Sequence, residues 1–317
     1  MPDSLYGTYE VILSHIPPQD RYLAREAMLW TTYSLDPLTL AALNEALVLE
    51  RGDRFVDNDC RLFNTNVILH ACQGLVVYNE ATTTVALAHS SVPAFLTSDA
   101  VRHSPAAFYR LESLTATRVI YQKCLTYLMF DEFRQPCLDE HSLNQRLMGF
   151  PLLEYAACAW ASLCGAYSPP GFELSEPECE EIMAFFGTVS LKQGGNFRSW
   201  VQVLQSHASS PTVWTTEPLY YAASFGILPA VDRLIENGAW VDAHGGFGGA
   251  TALNIASFRG HYFVVKRLLE AGADPNSEDN FRMTSVEWAR RDNRHDIVQL
   301  LLEYGADERL IHSPKVA

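Results

Sequence analysis

The chain has 317 residues and a formal net charge of −14, with 48% apolar and 19% charged residues. This composition is ordinary for a folded, water-soluble protein, and the length suits two domains or one domain with an array of repeats. The negative charge argues against a phosphate-binding surface along the whole chain. We expect no membrane contact and no secretory signal, because no apolar stretch is long enough to span a bilayer and the N-terminus lacks a basic segment before an apolar one. The seven cysteines form no Cys-x-x-Cys pair, so we expect a reducing compartment, the cytoplasm or the nucleus.

The first part of the chain, over 1–135, predicts a small helical domain with a β-hairpin. Two runs that alternate in hydropathy, 75–78 and 85–89, are joined by a polar segment and predict the hairpin. Helices followed by a hairpin are the element order of a winged-helix domain. Helices are predicted from apolar residues at helical spacing over 4–15, 19–34, 37–47, 66–72, from Pro93 onward, and over 116–130.

The next part, over 136–215, predicts a helical spacer. Apolar residues at helical spacing favour helices over 150–160, 182–186 and 197–204. The acidic run 173–181 precedes the second of these helices. We interpret it as a solvated helix start, because the helix dipole favours carboxylates in the first turn.

The last part repeats one pattern three times. The glycines that close the three units are spaced 34 and then 33 residues apart, at Gly238, Gly272 and Gly305. Small residues lie in the first helix of each unit, and an apolar stripe occupies the second. A period of about 33 residues with this pattern is the ankyrin signature. We therefore expect a mainly α protein with an ankyrin α-solenoid over 216–312, in units of about 217–249, 250–282 and 283–312.

The third unit departs from the pattern. Ser285 replaces the usual proline, Arg290 the second alanine and Asn293 the glycine. We interpret these polar residues as a C-terminal cap that faces water. Three units are about the minimum for a stable array, so the spacer is expected to cover the apolar face of the first unit.

Short motifs along the chain, together with the repeats, resemble the fungal NACHT–ankyrin proteins, which are similar to NOD-like receptors. These motifs are Ser14-His15-Ile16-Pro17-Pro18, Pro37-Leu38-Thr39-Leu40, Cys72-Gln73-Gly74-Leu75-Val76, Leu87-Ala88-His89-Ser90-Ser91-Val92 and Pro151-Leu152-Leu153-Glu154-Tyr155-Ala156-Ala157. The resemblance covers nearly the whole chain and implies a winged helix, a helical spacer and an ankyrin array, in that order.

In that family a nucleotide-binding NACHT module precedes the winged helix. This sequence contains no Gly-x-x-x-x-Gly-Lys-Ser/Thr motif and begins where such a module is expected to have ended, so we expect neither nucleotide nor any other cofactor. The glycine clusters 194–195 and 245–249 are interpreted as flexible loops rather than phosphate sites.

Three other features were weighed as chemical sites. The His89-Ser90-Ser91 run is interpreted as a turn with serine capping the next helix, not as a nucleophile and base, because no Gly-x-Ser-x-Gly elbow is present. The Asp57-Asn58-Asp59 run lacks the glycine and distal glutamate of a calcium loop, and the histidines show no zinc spacing. We expect no enzyme active site and no metal. DNA binding remains a weaker alternative, because the candidate recognition helix 66–72 has neither Arg nor Lys.

The sequence therefore predicts a non-enzymatic protein–protein interaction or scaffold protein, in signalling or regulation. One alternative is a regulatory fragment that pairs with a NACHT-type ATPase or GTPase on another chain, and another is a decaying gene fragment, which the intact helical periodicity argues against. For Phe225 and Phe258, packing within the stack is an equal alternative to partner contact. Contact residues are expected at the hairpin tips and on the exposed side of the first helices: Phe225, Trp240, His244, Phe247, Phe258, Arg259, Phe281 and Arg291.

Overall fold

The computed structural model describes residues 5–55, 64–191, 194–206 and 211–307, which form two compact units and are mainly helical. The N-terminal unit consists of the described residues within Met1–Asp131, Asn144–Trp160 and Pro169–Phe172. The C-terminal unit consists of those within Glu132–Leu143, Ala161–Ser168 and Glu173–Ala317. The domain limits expected from the sequence stay a prediction. The Asp57-Asn58-Asp59 run lies outside the described residues.

The N-terminal unit is built of short helices around one hairpin. The third helix begins at Leu40 rather than at Pro37, because the hydroxyl of Thr39 accepts a hydrogen bond from the backbone N–H of Ala42 at 3.1 Å. The helices are α1 Leu5–Ser14, α2 Arg21–Tyr33, α3 Leu40–Val48, α4 Asn66–Ala71, α5 Ser91–Leu96, α6 Asp99–Arg102 and α7 Ser113–Leu128.

The predicted hairpin is confirmed. Strands β1 (Val76–Asn79) and β2 (Thr84–Leu87) pair antiparallel, with Val76 opposite Leu87. The backbone just before α3 extends the same edge, since the carbonyl of Leu38 accepts a hydrogen bond from the N–H of Val85 at 2.9 Å. Helices followed by this hairpin form the winged-helix domain that the sequence predicts.

A buried carboxylate lies in the core of the N-terminal unit. Glu45 is 2% exposed, and it accepts hydrogen bonds from the hydroxyl of Tyr127 and, at 3.3 Å, from the N–H of Leu152. Large aromatic side chains such as Trp30, Tyr121 and Phe130 are fully buried in the same unit. This carboxylate therefore connects α3, α7 and the segment before the helix that follows Leu152.

Two consecutive helices, α8 (Glu140–Gly149) and α9 (Leu153–Cys164), follow the winged helix. In the part of the chain that the structure describes, no single helix is long and apolar enough to cross a membrane. These two helices meet that requirement only as a pair, and the pair is bent by 82°.

Three helix pairs in the C-terminal unit form the ankyrin repeats that the sequence predicts. The first helix of each pair stacks on the first helix of the next. The pairs are α13 Pro218–Phe225 with α14 Leu228–Glu236, α15 Ala252–Arg259 with α16 Tyr262–Glu270, and α17 Ser285–Arg291 with α18 His295–Glu303.

Two of the first helices start with reciprocal capping. The N–H of Thr251 donates to Asn254 at 2.8 Å, and the N–H of Thr284 donates to Glu287 at 2.8 Å. These bonds lie within single helices, so the second and third repeats each stabilise the start of their own first helix.

The helices before the array, α10 (Glu176–Gly187), α11 (Gly195–Gln205) and α12 (Pro211–Thr215), belong to the same unit. Helix α10 packs beside α14. Trp200 of α11 lies against α13, with its ring 4.9 Å from that of Tyr221 and 5.9 Å from that of Phe225. These helices cover the first repeat on the side that has no preceding ankyrin unit.

Three details differ from the sequence interpretation. Gly195 is not part of a loose loop: it begins α11 with φ of 62°, and a Cβ there would overlap the carbonyl of Thr188. Glu178 of the acidic run is 3% exposed and caps α10 by accepting a hydrogen bond from the N–H of Ser175 at 2.8 Å. Ser285 is fully buried, because its hydroxyl accepts a hydrogen bond from Asn254 at 3.1 Å; only Arg290 and Asn293 of the three substitutions face water.

Candidate protein-binding groove

A groove of about 350 Å³ runs along the first helices of the ankyrin repeats. Two tips border it: the first tip, residues 245–249, and the second tip, residues 279–283. Among its lining residues are five of the eight that the sequence predicts to bind a partner, Phe225, Phe247, Phe258, Arg259 and Phe281.

The aromatic side chains of the groove form pairs. Phe258 meets Trp288 edge to face with ring centres 5.2 Å apart, and Phe247 lies 6.0 Å from Phe281 across the two tips. Phe247 is 63% exposed and Phe281 is 53% exposed, whereas Phe225 is half-buried. Phe225 thus both packs in the stack and lines the groove, and the tip aromatics present most of their surface to solvent.

A buried aspartate holds the second tip in place. Asp279 is 6% exposed, and one of its carboxylate oxygens accepts hydrogen bonds from the backbone N–H groups of Phe281 and Met283, both at 2.9 Å. The other oxygen accepts a hydrogen bond from the indole Nε1 of Trp288 at 2.8 Å. Asp279 therefore joins the backbone of the second tip to the side chain of Trp288.

The first tip is also held by hydrogen bonds, although its glycines were expected to form a flexible loop. The N–H of Asn280 donates to the carbonyl of Gly248 at 2.8 Å, and the N–H of Phe247 donates to the hydroxyl of Tyr220 at 3.3 Å. Gly248 has φ of 62°, and a Cβ there would overlap the ring of Phe281. Glycine is needed here because neighbouring groups approach closely, and the flexibility of this loop stays a prediction.

Two arginines lie over aromatic rings at this site. The guanidinium of Arg259 is 5.9 Å from the ring centre of Phe258, and that of Arg291 is 5.3 Å from the ring centre of Trp288. Both arginine side chains are exposed, and neither has a carboxylate partner among the described residues. They are cationic groups next to the rings of Phe258 and Trp288, which form the aromatic floor of the groove.

The other predicted contact residues lie outside the groove lining. Trp240 is 70% exposed and borders a separate, shallow cleft beside Glu217. His244 is used within the chain, since its Nδ1 bonds to the carbonyl of Gly249 at 2.9 Å and its Nε2 to the hydroxyl of Ser277 at 3.1 Å. The structure does not bring Trp240 and His244 together with the groove aromatics, and Arg291 reaches the site through Trp288.

Sequence reasoning missed several lining residues: Leu204, Gln205, Tyr220, Tyr221, Asn254, Ile255, Asp279 and Trp288. The repeat period contained a signal for some of them. Ser224, Phe258 and Arg291 occupy one equivalent position in the three units, and Tyr221, Ile255 and Trp288 occupy another. Comparing equivalent positions would have identified the second row, whereas the part of α11 that contributes Leu204 and Gln205 has no counterpart in the repeats.

The candidate chemical sites in the rest of the chain have structural partners. His89 and Ser91 are bonded, with Nδ1 and Oγ 2.6 Å apart, and the hydroxyl of Tyr9 is 2.7 Å from the same Oγ. Ser90, expected to cap α5, makes no capping bond through its side chain; instead the N–H of Ser91 donates to Nδ1 of His89 at 3.1 Å. Hence His89, rather than a serine, satisfies the start of that helix.

The thiols and other possible metal ligands in the described ranges are separate from one another. The six cysteines there are free thiols, and burial raises the pKa of Cys72 to about 12. Cys158 is exposed, and the other five are buried. No group of three or more His, Cys, Asp or Glu side chains in those ranges is arranged to hold a metal ion.

Helix α4, the candidate recognition helix for DNA, reads Asn-Val-Ile-Leu-His-Ala and carries neither Arg nor Lys. Val67 is 40% exposed on it, and His70 is its basic residue. Base edges and phosphates are commonly bound by arginine and lysine. The helix does not supply them.

Comparison with known proteins identifies two regions of the chain. A family model of ankyrin repeats matches in three copies, over residues 193–279 and 219–311. A model described as the winged helix domain of GPI inositol-deacylase matches residues 13–108. The ankyrin match begins at residue 193, within the segment that sequence reasoning assigned to the spacer.

One curated relative is similar along most of the chain. It is "Azaphilone pigments biosynthesis cluster protein L" of Monascus ruber, 26% identical over 297 residues. The match covers 86% of this chain and 60% of the relative, so the chain spans well under two thirds of the length of that protein. The ankyrin repeats of the chain indicate protein partners.

Proposed function

We propose that this chain is a non-catalytic interaction protein that binds a segment of a partner protein in the groove of its ankyrin array. The observation that carries the proposal is the exposure of Phe247 and Phe281 on fixed tips above an aromatic floor. Aromatic side chains dominate the binding energy of protein interfaces when a partner covers them. Ankyrin arrays commonly bind partners on such extended surfaces.

The size of the groove favours a peptide segment over a whole domain face. A volume of about 350 Å³ accommodates a few side chains. Covering one large aromatic side chain contributes about 2–3 kcal/mol, so two or three anchors supply about 4–9 kcal/mol before the cost of association. Backbone and polar contacts of the segment must supply the rest of a micromolar affinity, which corresponds to about 8 kcal/mol. We therefore expect one or two apolar side chains of the partner to insert between the tips and the floor.

The curated relative supports no particular reaction for this chain. Its name refers to a biosynthesis cluster for azaphilone pigments and states no chemical step. We propose that the region shared with this chain serves binding, with a role in signalling or regulation as the sequence predicts. The partner is then a protein whose activity or assembly this chain controls.

The winged-helix match favours a second candidate function. Winged helix and ankyrin repeats occur together in the NACHT–ankyrin proteins that the sequence resembles. The second candidate is pairing with a NACHT-type nucleotide-binding module on another chain. Co-expression with such a protein and size-exclusion chromatography tests it: a shared peak supports this candidate, and separate peaks exclude it.

The groove proposal is tested with a random dodecapeptide library displayed on phage and selected on the immobilised full chain. We expect enriched peptides to bind the wild type with micromolar affinity in fluorescence anisotropy. The double variant Phe247→Ala/Phe258→Ala should weaken this binding by about tenfold or more. The matched control is Trp240→Ala, which removes a side chain that is 70% exposed outside the groove and should change little.

Two outcomes contradict the proposal. One is a library that yields no binding peptide. The other is binding that depends on Trp240 and not on Phe247 and Phe258. Circular dichroism melts of all variants check that the array remains folded.

A further inference from the structure

We infer that the groove is built for an acidic segment, in which Asp or Glu lies next to an apolar anchor residue. The inference rests on the proposed function and specifies the chemistry of its partner. It depends on how the charged side chains of the C-terminal unit are used.

Several arginines of this unit pair with carboxylates, among them Arg233 with Glu176 on α10 and Arg267 with Asp232 at 2.6 Å. Others, such as Arg290 and Arg294, are exposed and form no ion pair among the described residues. Arg259 and Arg291, beside the groove, have no carboxylate partner in the described part of the chain. In a chain with a net charge of −14, acidic residues are abundant, yet these two guanidinium groups are left without one.

The acidic groups close to the groove are already engaged. Asp279 directs its carboxylate oxygens to two backbone N–H groups and to the indole of Trp288. Glu287 caps α17 by accepting from the N–H of Thr284 at 2.8 Å. Both carboxylates keep their negative charge, but each is bonded to donors within the chain, and neither forms an ion pair with Arg259 or Arg291.

The stacking of the two arginines suits them to bind carboxylates. A guanidinium placed over an aromatic ring loses rotational freedom, while its N–H groups remain available to an oxyanion. Arginine binds carboxylates through two parallel hydrogen bonds, and such charge-assisted bonds are stronger than neutral ones. Arg259 over Phe258 thus offers one carboxylate site directly beside an apolar surface, and Arg291 over Trp288 offers another.

The rest of the surface favours a polypeptide over a nucleic acid. Two arginines are few for a polyanion whose affinity comes from many phosphate contacts, and the charge of −14 opposes a long polyanion. A short acidic segment is less affected by this net charge, because salt screens charges beyond about 8 Å at physiological ionic strength. The aromatic floor also needs apolar side chains to cover it, and a peptide supplies them next to its carboxylates.

The same peptide selection tests this inference. We expect the enriched dodecapeptides to combine Asp or Glu with a neighbouring Leu, Phe or Trp. Anisotropy with a selected peptide should show about tenfold weaker binding to the double variant Arg259→Gln/Arg291→Gln than to the wild type. Raising the salt to about 0.5 M NaCl should weaken the binding of the wild type and leave that of the double variant unchanged. The control variant Lys266→Gln/Arg290→Gln removes the same two charges from exposed positions outside the groove lining and should retain wild-type binding.

The outcomes separate the two proposals. If the selected peptides are neutral or basic and their binding depends on Phe247 and Phe258, the proposal of an acidic partner is wrong and the groove proposal stands. An equal loss of peptide affinity in the Arg259/Arg291 variant and in the control also contradicts the proposal of an acidic partner, because net charge and not these two arginines would then be responsible. A selection without any binding peptide overturns both proposals.

Discussion

The two units of the chain use buried polar groups in opposite ways. In the N-terminal unit, Glu45 bonds to residues 82 and 107 positions away, Tyr127 and Leu152. In the ankyrin repeats, the polar pairs Thr251–Asn254 and Thr284–Glu287 are three positions apart, and the buried bond from Asn254 to Ser285 reaches only the next repeat. A unit held by distant bonds is complete only when the whole unit folds, whereas a unit held by local bonds is assembled repeat by repeat.

This difference bears on where a binding site can evolve. The second and third repeats cap their own first helices, so side chains on the groove side are free to differ between repeats, as Tyr221, Ile255 and Trp288 do at one equivalent position. The N-terminal unit buries its largest aromatic side chains, including Trp30 and Phe130, in one shared core. We therefore place the partner site on the array.

Removing the Glu45 carboxylate is the strongest test of the comparison. Glu45→Ala leaves the hydroxyl of Tyr127 and the N–H of Leu152 without this acceptor inside the core. We expect the free energy of unfolding of the N-terminal unit to fall by about 4 kcal/mol in urea titrations. The control Glu50→Ala alters an exposed carboxylate and should cost less than about 0.5 kcal/mol. A loss below about 1 kcal/mol for Glu45→Ala would mean that distant polar bonds do not hold this unit.

Gly195→Ala tests whether the C-terminal unit also depends on a close contact outside the repeats. The new Cβ would overlap the carbonyl of Thr188, and φ of 62° is unfavourable for alanine, so we expect the C-terminal unit to lose about 3 kcal/mol. The control Gly272→Ala has φ of 89° but open space around the Cβ, and about 1 kcal/mol is expected. Urea unfolding followed by circular dichroism measures both. Equal losses would show that the start of α11 packs no more tightly than the end of an ordinary repeat.

The smallest expected effect is the pH dependence of the array. His261 donates through Nε2 to the carbonyl of Ser224 at 3.0 Å, and burial lowers its pKa below the ordinary 6.5, with Arg259 and Arg294 contributing. The unfolded chain then takes up a proton at higher pH than the folded chain. The stability from neutral His261 is present above pH 6.5 and is lost as the pH falls through the lowered pKa.

We expect the unfolding free energy of the C-terminal unit to fall by about 1 kcal/mol between pH 7 and pH 5. His261→Gln should reduce this slope, and the exposed control His295→Gln should not. If His261→Gln retains the full slope, other groups cause the acid sensitivity of the array.

The sequence predicted the repeats well because their determinants are local. Helix spacing, the closing glycines and the hairpin residues of the wing all lie within a few positions of one another, and the mainly helical fold with these two regions is confirmed. The predicted start of α3, at Pro37, was three residues too early, because the hydroxyl of Thr39 caps the helix. Ser285 was expected to face water, because its hydrogen bond with Asn254 of the preceding repeat cannot be inferred from the sequence of one repeat alone.

The candidate site was predicted in part for the same reason. Phe247, Phe258 and Phe281 were identified from residue type and position in the repeat, and the groove contains all three. Trp288 and Asp279 were missed, because their roles come from a hydrogen bond that joins a tip to a helix. Trp240 has the residue type of an anchor, but its exposed ring lies by another cleft.

The backbone hydrogen bond between Asn280 and Gly248 has a consequence for affinity. It joins the two tips in the folded chain, so their spacing is set by a bond within the chain. The conformational entropy of the tips is lost on folding and not on association, so more of the contact energy appears as a slow dissociation rate. A side chain at position 248 would displace the ring of Phe281 and widen the mouth, so this one glycine sets how rigid the receptor is.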